Sequence, residues 1–215
     1  MKTAFVIFDR MTALDFIGAY DPLTRLKSMD LIPNFEWDIC ALAEEVADDK
    51  GLRFTPSVVA EPLSKYDLIV VPGGFGTRTL QHDRAFIDWI RTSAPVKLKA
   101  SACAGALLLG TAGFLKGKRA TTHPSAFEEL KPYCAKVVNE RSSQLAVSQP
   151  QLISVCTWSN GLPAWKRAGE WRSKWTTPMN GKRRVRKIPY NRAIDSDTYS
   201  APLLRALISA RHCER

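Results

Sequence analysis

The chain has 215 residues, is 45% hydrophobic by composition and carries a formal net charge of +10. This length suits one domain with a sizeable core, and no apolar run approaches the roughly 18 residues that a membrane-spanning helix needs. Asp9 and Arg10 interrupt the apolar N-terminal run, which is not typical of a signal peptide. The composition therefore predicts a globular, cytoplasmic protein without a membrane partner.

The positive charge is concentrated towards the end of the chain. Residues 1–140 contain 17 basic and 17 acidic side chains, whereas residues 141–215 contain 14 basic and 4 acidic ones. Four of the six tryptophans also lie in the second segment. A basic, aromatic segment is compatible with a nucleic-acid-binding arm, but it contains no helix-turn-helix pattern. Nucleic acid is therefore not the expected partner.

The cysteines are scattered rather than paired in motifs. They are Cys40, Cys103, Cys134, Cys156 and Cys213. An odd number with no C-x-x-C pair predicts reduced thiols, and neither a disulfide framework nor a zinc site. No other metal-ligand spacing is present, so we predict no metal and no cofactor.

Up to residue 140, predicted strands and helices alternate. Strands are predicted over residues 1–8, 35–42, 52–60, 67–71, 96–102, 118–123 and 135–140, and helices over residues 14–29, 83–94, 105–115 and 125–133. The first helix is predicted from the spacing of Leu14, Ile17, Leu23 and Leu26. Such alternation predicts an α/β fold with a mainly parallel sheet and helices on both faces. Ligands of these folds bind beyond the carboxyl ends of the strands.

Cys103 lies in the sequence "SACAG", between a predicted strand and a predicted helix. Its small neighbours suit a sharp strand-to-helix turn that exposes a nucleophile, and a helix start stabilises a thiolate. The alternative is a structural thiol packed in a turn.

Other strand ends provide candidate partners for this thiol. The N–H groups of Gly73, Gly74 and Ala104 are candidates to bind an oxyanion, although the two glycines also suit an ordinary tight turn. Asp15 is a candidate for proton transfer, or an acidic residue at a helix start. His123, in "TTHP", is a candidate acid or base, or an ordinary surface or packed histidine.

The chain resembles the ThiJ/PfpI superfamily of class I glutamine amidotransferase-like proteins, and its isonitrile hydratase-like branch in particular. The resemblance covers residues 3–141 and lies in "FDRMTALDFIGAYDPL", "DLIVVPGGFGTRTL" and "ACAGALLLGTAGFLKGKRATTHPSAFEEL". It implies a flavodoxin-like sandwich, a small-molecule substrate and a homodimer.

The resemblance also implies roles for individual residues. Cys103 is then the nucleophile, Asp15 contacts it, and the N–H of Gly74 stabilises an oxyanion. His123 corresponds to a histidine of deglycase-like members. Ala104 differs from the histidine of peptidase-like members and from the usual threonine of isonitrile hydratases, so a cysteine peptidase is not expected.

Three activities are compatible with this resemblance. The first is an isonitrile hydratase-like enzyme that adds water to a small electrophilic substrate. The second is deglycase-like or glyoxalase-like activity on reactive carbonyl compounds. The third is a non-catalytic ligand or redox sensor.

Residues 141–215 depart from the family pattern. Apart from a short amphipathic helix predicted over residues 201–212, they show little apolar periodicity. We therefore predict an α/β domain over residues 1–140 and an atypical basic, tryptophan-rich segment after it. A reading-frame change after about Glu140, or partial disorder, would account for this segment.

Overall fold

The computed structural model describes residues 1–139 and the backbone of residues 152–155. Its strands are β1 (Lys2–Val6), β2 (Glu36–Ala41), β3 (Val46–Ala47), β4 (Arg53–Phe54), β5 (Val58–Val59), β6 (Leu68–Val71), β7 (Leu98–Ala102), β8 (Arg119–Ala120), β9 (Lys136–Val137) and β10 (Leu152–Val155). Its α-helices are α1 (Ala13–Ser28), α2 (Gly76–Leu80), α3 (Arg84–Arg91), α4 (Gly105–Thr111) and α5 (Phe127–Leu130). Short 3-10 helices cover Leu63–Lys65, Pro124–Ala126 and Lys131–Tyr133.

A six-stranded parallel sheet forms the centre of the fold, in the order β10-β7-β6-β1-β2-β5. The four residues of β6 are all buried, as expected for an inner parallel strand covered on both faces. Smaller pairs join β3 to β4 and β8 to β9. The predicted α/β fold class, with its mainly parallel sheet, is confirmed.

The predicted strand over residues 52–60 is divided between two sheets. β4 pairs with β3 in antiparallel orientation, whereas β5 extends the central sheet beside β2. Pro56 lies between them and has no N–H group to continue a strand ladder. One continuous strand was therefore the wrong prediction here.

The first helix forms where predicted, and it buries Leu23 and Leu26 of the four apolar residues whose spacing predicted it. Phe16 is buried and packs edge-on against Phe5, with ring centroids 6.2 Å apart. Leu14 and Ile17 are instead 58% and 43% exposed. The helical period places Phe16, Leu23 and Leu26 in the core and leaves Leu14 and Ile17 towards solvent.

The helix α3 agrees with its prediction. Phe86, Ile87 and Ile90 are buried on one face. Asp83 precedes the helix, and its Oδ1 accepts hydrogen bonds from the N–H groups of Ala85 (2.9 Å) and Phe86 (3.2 Å). This carboxylate cap explains why the helix begins at this point.

The last strand of the central sheet was not predicted. β10 pairs with β7, with Leu152 opposite Lys99 and Val155 opposite Ala102. The helix predicted over residues 201–212 lies outside the described residues, and the boundary predicted at residue 140 stays a prediction. No helix in the described ranges is long and apolar enough to cross a membrane.

Candidate active site

Three strand-to-helix loops meet at the carboxyl edge of the central sheet. The loops after β1 and β6 are joined by a bridge between Met11 and Gly74. The N–H of Thr12 donates to the carbonyl oxygen of Gly73 at 2.9 Å, and the N–H of Gly76 donates to that of Arg10 at 3.0 Å. These bonds hold the loop that precedes Asp15 beside the glycine turn.

Cys103 occupies the turn between β7 and α4. It is partly buried, and its φ angle of +50° lies in the left-handed region. Ala104 follows with helical backbone angles, and α4 begins at Gly105. A Cβ atom on Gly105 would stand 2.4 Å from the carbonyl oxygen of Val71, so this turn packs closely against the end of β6. The sharp turn expected from the small residues is present, whereas the nucleophilic role of Cys103 stays a prediction.

Asp15 lies close to this thiol. Burial raises the pKa of Asp15, while the nearby Cys103 thiol, the Gly73 N–H and the charge of His123 partly offset that effect. Its Oδ2 atom is buried and has no hydrogen-bond partner of good geometry within residues 1–139. An unpaired buried carboxylate oxygen is costly, which agrees with the raised pKa of Asp15.

The glycine turn is packed too tightly for side chains. A Cβ atom on Gly73 would stand 2.7 Å from the N atom of Ala104 and 2.8 Å from Oδ2 of Asp15. Gly74 has a φ of +124°, and a Cβ atom there would stand 2.5 Å from the N atom of Thr12. Both the turn geometry and the close approach therefore require glycine. An oxyanion-binding role for Gly73, Gly74 or Ala104 stays a prediction.

His123 enters the same region from the segment after β8. Its Nδ1 atom lies 2.8 Å from Oγ of Ser125 and accepts the N–H of Ser125 at 3.2 Å. The accepted N–H bond assigns the proton of a neutral ring to Nε2. His123 is half-buried and lies close enough to Asp15 that a positive charge on its ring would lower the pKa of that carboxyl group.

Thr122 is a site residue that the sequence reasoning missed. Its Oγ1 donates to the carbonyl oxygen of Cys103 at 2.9 Å, and the residue is only 1% exposed. The motif "TTHP" singled out the histidine, but its spacing does not indicate that a threonine hydroxyl reaches the cysteine turn.

The chemistry available to this arrangement is that of a thiol, a carboxyl group and an imidazole. In the part of the chain that the structure describes, no three His, Cys, Asp or Glu side chains are grouped to hold a metal ion. The prediction that no metal or cofactor takes part stays a prediction.

Curated relatives connect the chain to two groups of proteins. It is 35% identical over 140 residues to an isonitrile hydratase from Pseudomonas putida, a match covering 61% of this chain and 56% of the relative. It is 37% identical over 107 residues to DJ-1 homolog A from Arabidopsis thaliana, covering 48% of this chain and 26% of that protein. The chain thus spans about half or less of the length of these relatives.

Solved structures share the fold. A ThiJ/PfpI family protein from Pseudomonas syringae has a TM-score of 0.62 at 22% identity, covering 97% of this chain and 85% of that one. Drosophila melanogaster DJ-1beta has a TM-score of 0.59 at 22% identity, covering 72% and 81%. The model of the DJ-1/PfpI family matches residues 1–165. The chain therefore belongs to the DJ-1/PfpI family.

Proposed function

We propose that the protein is a cysteine-dependent enzyme that adds water to a small electrophilic carbon, in the manner of an isonitrile hydratase. The observation that supports this most directly is the left-handed turn of Cys103 beside the buried carboxyl group of Asp15. The 35% identity to an isonitrile hydratase supports the same substrate class.

The proposed reaction converts an isonitrile and water into an N-substituted formamide. The sulfur of Cys103 bonds to the terminal carbon of the isonitrile, and that carbon takes up the thiol proton by way of Asp15, which gives a thioimidate. Water then adds across the C=N bond, placing its oxygen on carbon and a proton on nitrogen. The C–S bond breaks, the hydroxyl proton returns to the thiolate, and the formamide leaves.

Asp15 is suited to this proton transfer because burial raises its pKa. A carboxyl group with a raised pKa keeps its proton closer to neutral pH and is therefore more often available there as a general acid. In this proposal the N–H groups of Gly74 and Ala104 stabilise negative charge that develops on the substrate, while Gly73 keeps the turn narrow.

Activity on reactive carbonyl compounds is the second candidate. It is favoured by His123, which lies close enough to Asp15 for a ring charge to lower the pKa of Asp15 and which can assist proton transfer to a carbonyl oxygen. The similarity to DJ-1 homologs from Arabidopsis thaliana supports the family without selecting between these substrates.

Turnover of an alkyl isonitrile and of methylglyoxal, measured in parallel, tests both candidates. Cys103→Ala should abolish the activity, while Cys134→Ala is the matched control because Cys134 contacts the carbonyl oxygen of Leu130 instead. Undiminished turnover by Cys103→Ala would overturn the proposal. No turnover together with rapid alkylation of Cys103 would instead favour a ligand or redox sensor.

The proposed assembly is a homodimer in the cytoplasm. Leu14 and Ile17 on α1 are 58% and 43% exposed and provide apolar surface for contact with a second copy. Light scattering coupled to size-exclusion chromatography measures this, and a monomer at micromolar concentration would contradict it.

A further inference from the structure

A hydroxyl group from a separate segment holds the backbone of the cysteine turn. Oγ1 of Thr122 donates to the carbonyl oxygen of Cys103 at 2.9 Å, across 19 positions in sequence. Thr122 is 1% exposed, so little water is available to replace the bond if the hydroxyl is removed. An intramolecular bond in such a setting constrains both of its ends.

The turn needs external constraint because its backbone is strained. The φ of Cys103 is +50°, and a non-glycine residue in this sparsely populated backbone region is strained. Such strain persists when the surroundings determine the conformation. Gly73 packs against the Cβ of Cys103 and Gly105 packs against the carbonyl group of Val71, which restrains the two sides of the turn. Thr122 restrains the carbonyl group between them.

The same bond also connects two parts of the site. Thr122 immediately precedes His123, whose ring is oriented by Ser125. A bond from Thr122 to Cys103 therefore fixes the segment that carries the histidine relative to the turn that carries the thiol. Loss of the bond would affect both side chains that act on Asp15.

We propose that Thr122 is a positioning residue, whose hydroxyl keeps Cys103 in its left-handed conformation and so holds the thiol beside Asp15. Its relevance to turnover rests on the proposed function, whereas its effect on the Cys103 backbone does not. Thr122 acts through the carbonyl group of Cys103 and needs no contact with a substrate.

Two pairs of variants isolate the hydroxyl group. Thr122 and Thr122→Val have similar side-chain volumes, and Thr122→Ser and Thr122→Ala differ by one oxygen atom. Thr111→Val is the matched control, because Oγ1 of Thr111 makes a bond of the same length, 2.9 Å, to the carbonyl oxygen of Leu107 within α4.

The first measurement is the alkylation rate of Cys103 by iodoacetamide across pH, resolved by peptide mass spectrometry. At neutral pH, we expect Cys103 to be alkylated roughly tenfold more slowly in Thr122→Val than in the unmodified protein. We expect a similar difference between Thr122→Ala, the slower variant, and Thr122→Ser. Thr122→Ser and Thr111→Val should keep the original rate. A purely structural role would lower the unfolding temperature without changing these rates in the folded protein.

The second measurement reads the backbone without relying on thiol reactivity. NMR chemical shifts of Cys103 distinguish a left-handed residue from an extended one, and we expect the left-handed pattern to be lost in Thr122→Val and Thr122→Ala. The positioning role is overturned if both variants keep that pattern, or if removing the hydroxyl leaves alkylation unchanged or accelerates it. If Thr122→Val does not fold, the comparison of Thr122→Ser with Thr122→Ala decides whether the hydroxyl positions Cys103.

These results are separable from a failure of the proposed function. Turnover that survives in Cys103→Ala would overturn the enzyme proposal and leave the chemical-shift comparison intact. Conversely, unchanged chemical shifts in the Thr122 variants would overturn the positioning role even if Cys103 proved essential for turnover.

Discussion

The backbone of Gly73 lies directly against the side chain of Cys103. A Cβ atom on Gly73 would stand 2.7 Å from the Cβ of Cys103 and 2.8 Å from Oδ2 of Asp15. Separations this short force neighbouring atoms to move. The contact between thiol and carboxyl group therefore depends on a residue without a side chain at position 73.

Gly73→Ala should accordingly disrupt the site. We expect the free energy of unfolding to fall by about 1–3 kcal/mol, as for other insertions into packed regions. We also expect Cys103 to lose its preferential alkylation over the other cysteines. Urea unfolding and peptide-resolved alkylation measure the two effects.

Gly18→Ala is the matched control for that substitution. Gly18 lies in α1, and a Cβ atom there would meet nothing within 4 Å. We expect the free energy of unfolding of this variant to rise by about 0.5–1 kcal/mol, since alanine stabilises a helix more than glycine does. The alkylation of Cys103 should not change. Equal stability losses in both variants would contradict the packing argument.

Asp15→Asn should change how stability depends on pH. Burial raises the pKa of Asp15 above its ordinary 3.8, so the folded chain binds this proton more tightly than the unfolded chain. The stabilising contribution of the group is complete below pH 3.8 and is lost as the pH rises through the folded pKa. The stability of Asp15→Asn relative to the unmodified protein should thus increase from acidic to neutral pH.

Asp38→Asn is the control, because its relative stability should change with pH in the opposite direction. Burial raises the pKa of Asp38, but Lys2 at 3.0 Å and the hydroxyl of Tyr66 at 2.8 Å outweigh it, so the net pKa is lowered. The stabilisation by this carboxylate is present above its ordinary pKa and is lost as the pH falls through the lowered value. Asp38→Asn should be least stable relative to the unmodified protein at neutral pH. Urea titrations from pH 3 to 7 measure the stability of each variant relative to the unmodified protein. If both relative stabilities change with pH in the same direction, the opposite pKa shifts of Asp15 and Asp38 are refuted.

Much of the site could be predicted because it lies at the ends of parallel strands. Asp15, Gly73 and Cys103 each follow a predicted strand, and parallel strands bring such residues to one edge of a sheet. The small residues around Cys103 likewise predict a sharp turn, which the structure contains. Local pattern was sufficient for these features.

Other features depend on contacts that no local pattern records. The bond from Thr122 joins positions 19 residues apart, and neither threonine of "TTHP" is distinguished by its neighbours. The spacing of Leu14, Ile17, Leu23 and Leu26 predicted α1 but did not indicate that Phe16 would pack against Phe5 while Leu14 and Ile17 stay exposed. β10 was missed because the sequence after residue 140 shows little apolar periodicity, and this strand is identified by its pairing with β7.

Cys40 should be inert in the folded protein, in contrast to Cys103. It is fully buried, its Sγ lies 3.3 Å from the hydroxyl of Tyr66, and burial raises its pKa to about 11. Since the thiolate is the reactive form, Cys40 should be alkylated at neutral pH only through unfolding. Its alkylation rate should therefore increase with urea in parallel with the unfolded population.

Tyr66→Phe provides a check on that mechanism. Removing the Tyr66 hydroxyl, which bonds to both Cys40 and Asp38, should lower the free energy of unfolding by about 1–2 kcal/mol. Cys40 should then be alkylated roughly tenfold faster, while the alkylation rate of Cys103 should not change. Rapid alkylation of Cys40 in the unmodified, folded protein would show that the thiol is accessible by another route.

Lys99 gives a prediction at alkaline pH. Its side chain is 7% exposed, donates to the carbonyl oxygens of Ala94 and Val96, and lies 4.7 Å from the ring centroid of Phe114. Burial, together with the charge of Lys118, lowers the pKa of Lys99 from 10.5 to about 8. The folded chain therefore binds this proton less tightly than the unfolded chain.

Stability should consequently rise with pH between these two values, since the unfolded chain there holds more protons than the folded one. Lys99→Met retains the apolar length of the side chain and cannot titrate. Its stability relative to the unmodified protein should be highest below pH 8 and should decline by about 3 kcal/mol towards pH 10.5. Lys50→Met controls for total charge, because the side chain of Lys50 is 79% exposed. A relative stability of Lys99→Met that stays constant across this range would mean that the buried ammonium group carries no cost, since its desolvation is the source of the expected slope.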